Sequence, residues 1–252
     1  MTRRTFDPDL FEPLAAVEPR SFWFRARNRL IVSALRRHFA GADSFLEVGC
    51  GSGVVLEAVH EALPELRIVG SDLYPEALEI ARRRVDGVEL LELDARALPF
   101  ENEFDVVGAF DVVEHVDEDE RVLEQLHQAA KPGGGAIVLV PQHRWLWSEH
   151  DRVAEHRRRY SRRELVDKMR RVGFEVVEST SFVSSLLPVM IVSRLVDRIR
   201  KREYDPVAGL DPGRLNPLFE RMLDGERRLI ERGVSLPAGG SLMLVGRKGG
   251  LP

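Results

Sequence analysis

The stretch 44–53, SFLEVGCGSG, decides how the rest of the chain is read. A short, mostly apolar run of strand character enters three alternating glycines, Gly49, Gly51 and Gly53, and leaves them as VVLEAVHEAL, which has helical character. Such a strand, turn and helix lets backbone approach a ligand, permits positive φ and presents the free N–H groups of a helix N-terminus. A dinucleotide fingerprint, G-x-G-x-x-G, would need its last glycine where the chain has Val54, so the spacing weakens a nicotinamide reading. One strand later comes Asp72, in GSDLYPEA. An acid at the end of the second strand of a doubly wound sheet can accept from both hydroxyls of a ribose, so Gly51 and Asp72 form one expected constellation.

Working outward, the same unit repeats. RIVGSD (67–72) leads into PEALEIARRRV (75–85), VELLELD (88–94) is a third strand, and FDVVGAFD (104–111) a fourth. Helix 117–130 is closed by Lys131, Pro132 and three glycines, and AIVLVP (136–141) is the fifth strand. Apolar strands alternating with helices predict an α/β fold with a parallel sheet covered on both faces. Residues 20–39 predict an amphipathic helix ahead of it. After Pro141, residues 142–160 carry no clean period and read as a loop. Helix 161–173, with Ser161 and Glu164 in capping-box spacing, strand 174–182 and strand 241–248 complete the pattern around an insertion over 183–238.

Composition limits the partners. The chain has 252 residues, 44% hydrophobic and 31% charged, which excludes disorder and disulfide stapling and suits a globular core. A net charge of −4 gives no field for a polyanion, so no nucleic-acid partner is expected. Cys50 is the single cysteine; it excludes an intramolecular disulfide or a cysteine-based zinc site, and no metal is expected. Without a signal-like or membrane-spanning run, the chain reads as cytoplasmic.

The ordered segments EVGCGSG, SDLYPEALEIARRR, LELDARALPF, FDVVGAFDVVEHV and KPGGGAIVLVP resemble class I S-adenosylmethionine (AdoMet)-dependent methyltransferases, nearest the small-molecule, ubiquinone-biosynthesis type. They cover about 44–141, with weaker agreement through 182 and at 241–248. The resemblance implies a Rossmann-like, seven-stranded sheet with an antiparallel last strand, and AdoMet as cofactor. It implies that Glu47, Gly49, Gly51 and Gly53 shape the methionine and ribose side, that Asp72 holds the ribose diol, and that Leu73 lies against adenine. Asp94 and Ala95 would meet the adenine edge, and Phe110 would border the sulfonium. SFWFRARNR resembles a segment ahead of the first motif, so Trp23 and Arg27 are expected to cover the cofactor and pair with its carboxylate.

Methyl transfer needs a base only where the acceptor must lose a proton. The candidates are His115 in VVEHV, His143 after the fifth strand, His150, His156 in AEHRRRYS and Tyr160, with His115, His143 and His156 put first. Trp145 and Trp147 suit an acceptor wall, and the basic run 157–171 suits an anionic acceptor. Phe110-Asp111-Val112-Val113 departs from the Asn/Asp-Pro-Pro-Tyr/Phe usual in methylation of DNA-base amino groups. The expected reaction is methylation of an oxygen, before carbon or nitrogen, on a small molecule. Transfer of another group, such as aminopropyl, and a non-catalytic AdoMet-binding scaffold stay open. Three divisions are expected: an N-terminal helical segment (1–43) over the cofactor, the core (44–182 and 239–248), and the helical insertion (183–238). In the insertion, apolar LLPVMIV followed by basic RLVDRIRKR fits a substrate cover, a dimer surface or peripheral contact with an anionic membrane and a lipid-like acceptor.

Overall fold

A computed structural model describes residues 6–200 and 209–250, with side chains described at 6–196 and 209–250. Seven strands form one sheet: β1 (Ser44–Val48), β2 (Arg67–Asp72), β3 (Glu89–Glu92), β4 (Phe104–Phe110), β5 (Ala130–Pro141), β6 (Phe174–Phe182) and β7 (Ser241–Lys248). Their order is β3-β2-β1-β4-β5-β7-β6, with β1 to β5 parallel to one another and β7 antiparallel to both β5 and β6. The chain therefore runs outward from β1 to β3 and returns to β4 on the other side. Such a reversal opens a crevice at the C-terminal ends of β1 and β4, the usual ligand position in open α/β sheets.

Alternation along the strands separates two cores. Phe45, Val106, Ile137, Leu139, Met243 and Val245 face α2 (Phe22–His38), α3 (Val54–Ala62) and α9 (Asn216–Glu231). Their neighbours Leu46, Val107, Val138, Val140, Leu242 and Leu244 face α5 (Asp119–Ala129) and α7 (Arg162–Arg171). Because side chains alternate with period two, a one-residue slip would exchange the two faces, and this pins the register. α4 (Pro75–Arg84) flanks β2 and β3, starting at Pro75, whose missing N–H would have no helical partner anyway.

Several boundaries differ from expectation. β5 begins at Ala130, not 136: Ala130 already pairs with Phe104, and the register shifts before Gly135 meets Val106. Lys131 to Gly134 thus form an irregularity inside the ladder, where Pro132 has no N–H to give and Gly133 takes φ 83°. β3 is confined to four residues at the sheet edge. The 142–160 stretch contains a short helix, α6 (Glu149–Val153), opened by a Ser148–Asp151 capping box. A further helix, α1 (Phe11–Val17), precedes α2, and α8 (Leu187–Arg200) precedes α9.

At α7 the Ser161 hydroxyl accepts from the Glu164 N–H at 3.2 Å, while the Glu164 carboxylate turns to Arg144. Ser161→Ala is expected to cost about 1 kcal/mol, read as a lower denaturation midpoint with an unchanged slope.

No described helix is long and apolar enough to cross a membrane. On α8, Val189, Val192 and Leu195 stand exposed three residues apart. The basic end of the expected stretch, Lys201 and Arg202, lies outside the described residues.

Candidate active site

After β1 the chain turns through Gly49 (φ 72°) and Gly51 (φ 53°), and Gly53 caps α3 in the left-handed region. At Gly49 a Cβ would stand 2.4 Å from the Val112 side chain, so the loop lies against the segment leaving β4 only as glycine. At Gly51 a Cβ would meet nothing within 4 Å. Its left-handed backbone calls for glycine, and the space beside it is open. Asp72 fixes this loop: one carboxylate oxygen accepts from the Gly51 N–H at 2.7 Å, the other from the Tyr74 N–H at 3.0 Å. Burial raises the Asp72 pKa, against the backbone donors that favour its charge. Leu73, half-buried, follows at the rim.

Glu47, at the end of β1, is 2% exposed, and its Oε2 accepts no hydrogen bond. Burial pushes its carboxyl well up, only partly offset by the Arg27 charge. An unpaired buried acceptor costs about 1–3 kcal/mol, so a ligand that donates here recovers that cost. Arg27, one turn along α2 from Trp23, lies 4.7 Å from the centre of that ring and donates to Asp111 at 2.7 Å. Its Nε, also buried, has no acceptor. The expected partner of Arg27 was a ligand carboxylate. The structure instead ties one of its amino groups to Asp111.

On the adenine side, Asp94 is already bound to Arg96, with contacts of 3.0 and 2.7 Å. That guanidinium lowers the Asp94 pKa. Ala95 is partly buried against the α5 face, and Phe110 is buried in the α2 face at the end of β4.

Beyond β4 the chain makes a second polar cluster. Asp111 adopts φ 57°, and burial raises its pKa against the Arg27 charge. Glu114 is fully buried with neither carboxylate oxygen hydrogen-bonded; burial, and then Asp111, push its pKa well up. His156 places Nε2 4.0 Å from Glu114 Oε1 and Nδ1 2.9 Å from Asp151. The His115 ring meets that of His156 edge-on at 4.7 Å. Glu114, His115 and His156 set one potential ligand atom each within 4.8 Å of one another. His143 sits apart at φ 64°, stacked at 5.3 Å on Trp145. Burial, then Arg159 and Arg162, lower its pKa.

The structure therefore gathers Glu47, the glycine loop, Asp72 and Arg27 on the β1–β2 side, and His115 with His156 beyond β4. Sequence reading assigned no role in methyl transfer to Asp111, Glu114, Asp151 or Arg159. It also missed Glu18, whose buried carboxylate accepts from Ser52 of the loop at 2.5 Å and from Arg84 at 2.6 Å. Nothing in the sequence around Glu18 marks that contact, which joins residues far apart in the chain. The segment ahead of α2 also reaches both halves of the crevice. The Phe6 N–H donates to the Tyr74 hydroxyl at 2.7 Å, and the Phe6 ring lies 6.2 Å from that of His115.

A glycine loop, a strand-end acid and this strand order define a class I AdoMet-dependent methyltransferase domain. The chain belongs to that family: the profile described as "Methyltransferase domain" matches residues 20–179. Among curated proteins it is similar to demethylmenaquinone methyltransferase of Chlorobaculum tepidum, 35% identical over 38% of this chain and 40% of that protein. It is also similar to ubiquinone biosynthesis O-methyltransferase of Bordetella bronchiseptica, 31% identical over 53% of this chain and 54% of the relative. The chain thus spans roughly half the length of these relatives. In fold it is similar to the chain solved with the Trm112 methyltransferase activator of Haloferax volcanii, with TM-score 0.59 and 21% identity over 97% of this chain and 98% of that one. The family's methyl donor is AdoMet.

Proposed function

We propose that this protein transfers a methyl group from AdoMet to a small molecule, with oxygen as the preferred acceptor atom. The observation that carries the reading is the cradle in which Asp72 holds the Gly51 N–H, with the buried Glu47 carboxyl, whose Oε2 has no hydrogen-bond partner, at the end of β1. In this reading Asp72 receives a ribose diol, Glu47 receives the donor's ammonium group, and the Arg27 Nε faces its carboxylate. Gly49 and Gly53 shape the loop, Leu73, Asp94 and Ala95 line the adenine side, and Phe110 and Trp23 exclude water. AdoMet supplies an electrophilic methyl on a sulfonium. The chain's own task is to hold an acceptor atom in line with it and keep water out. The segment before β1 serves as a cover, supported by the Phe6 and Glu18 contacts. The 183–238 stretch serves the acceptor side, and the apolar stripe of α8 favours an acceptor with an apolar body.

Titration calorimetry tests this with AdoMet, S-adenosylhomocysteine (AdoHcy) and NAD in buffers of different ionisation enthalpy. Both sulfur nucleosides should bind, NAD should not, and proton release should accompany AdoMet binding as an ammonium draws Glu47 into its charged form. No binding of either to the folded protein refutes the reading.

The same groups predict a pH effect on the ligand-free protein. A carboxyl whose folded pKa is raised holds more protons in the fold, so its stabilisation is lost as pH rises from the unfolded value through the folded one. With Glu47, Asp72, Asp111 and Glu114 all raised, the melting temperature should fall as pH rises above about 6.5, past the range in which the lowered pKa values of His127, His143 and His150 act in the opposite direction. AdoHcy should flatten that slope.

A further inference from the structure

We propose that His156 accepts the proton of a hydroxyl-bearing acceptor through Nε2, and that Asp151 is the positioning residue that fixes its tautomer. This rests on the methyl-transfer reading and names the acceptor chemistry that reading leaves open.

Asp151 is fully buried and held on every side. One oxygen accepts from Arg159 Nε at 2.7 Å as well as meeting His156 Nδ1, while the other accepts from the Ser148 N–H at 2.8 Å. Burial works against its charge, yet His156 and Arg159 outweigh burial and hold Asp151 well below the usual carboxylate range. A charged carboxylate can only accept, so the ring proton must sit on Nδ1, and Nε2 carries the lone pair. That nitrogen points to Glu114, which lies on the segment leaving β4 beside the crevice. Burial, reinforced by Asp111, raises the Glu114 pKa, and its Oε1 stands 4.0 Å from Nε2, beyond hydrogen-bond distance. The other groups around the ring are His115 and Asp111 from the same segment, Asp111 being close enough to feel the His156 charge, His150 of α6 with its ring 5.9 Å away, and Arg159 behind Asp151. Burial first, with other charges, pushes His150 down to about 4, so it stays neutral at pH 7.

An amine acceptor attacks with a lone pair it already has, whereas a hydroxyl becomes a strong nucleophile only as its proton leaves. In the proposed step, an oxygen lone pair forms the new O–C bond, and the hydroxyl proton passes to Nε2. The C–S bonding pair stays on sulfur, leaving a thioether. The imidazolium, stabilised by Asp151, then returns its proton to solvent. Charge balances, because the sulfonium's positive charge leaves as that proton.

The test is ring-nitrogen NMR of the full chain with 15N-labelled histidine, with and without AdoHcy, His156 being assigned from the signals lost in His156→Gln. The expected result is the Nδ1–H tautomer in the wild-type protein and a shift toward Nε2–H in Asp151→Asn, restored in Asp151→Glu, with AdoHcy affinity within about threefold throughout. Wild-type Nε2–H, or a tautomer unmoved by Asp151→Asn, overturns the assignment. So does a Co2+ absorption band that needs His156, since a metal-bound nitrogen cannot take a proton. Methyl transfer is then compared on matched probes, 3,4-dihydroxybenzoate and 3,4-diaminobenzoate. Transfer to the dihydroxy probe that falls about 10²- to 10⁴-fold in His156→Gln supports the proposal. Transfer to the diamine alone overturns it. Failure of AdoHcy to bind the wild-type protein would instead refute the methyl-transfer reading, while the ring tautomer would still report on the Asp151 contact.

Discussion

Asp72→Ala is expected to weaken AdoHcy binding by about 1–3 kcal/mol, a drop of roughly 5- to 150-fold in affinity. Two losses combine. In the proposed reading the ribose would lose a charged acceptor, and the Gly51 and Tyr74 N–H groups would lose the carboxylate that now sets the loop. Asp72→Asn separates them, because its amide oxygen can still accept from one backbone N–H but carries no charge. It should fall between wild type and alanine. Calorimetry on folded protein measures both, and unchanged affinity in Asp72→Ala would remove this residue from the site.

Gly135→Ala should destabilise the whole sheet by about 3 kcal/mol, at the upper end for overpacking, and lower the melting temperature by roughly 6–12 °C. A Cβ at Gly135 would stand 2.1 Å from the Gly246 carbonyl oxygen of β7 and 3.0 Å from the Phe39 ring. The first is backbone locked in a ladder on both sides, so it cannot yield as a flexible side chain would. Gly41→Ala is the control: its Cβ would meet nothing within 4 Å. Its melting temperature should stay close to that of the wild type.

The fold was legible where burial on both faces forced apolar runs, as in β1, β2, β4 and the later part of β5. It was less legible at Lys131–Gly134, because proline and glycines read alike as a loop and as a bulge within a ladder. The β1–β2 side of the candidate site was equally readable, since glycine spacing and the following acid are local signals. The cluster beyond β4 was not. Asp111, Glu114, Asp151 and His156 meet only because separate loops fold over the sheet edge, one turning at Asp111 with positive φ. No periodicity in 142–160 announces which of its charges turn inward, and Asp151 looked like one more acid among exposed ones.

The position of β7 also constrains how this protein is made. Among the described residues β6 has no neighbour in the sheet except β7, and β7 in turn is its bridge to β5. On the ribosome, residues 174–182 therefore emerge well before the strand that will receive them, with α8 and α9 still to come. Until 241–248 are synthesised, β5 ends the sheet with an open edge and β6 remains an unpaired ribbon, the kind of edge that invites pairing with another chain. A nascent chain stalled between 183 and 240 would carry the nucleoside-binding half nearly complete beside an unsealed flank, and it is there that a chaperone would have most to protect.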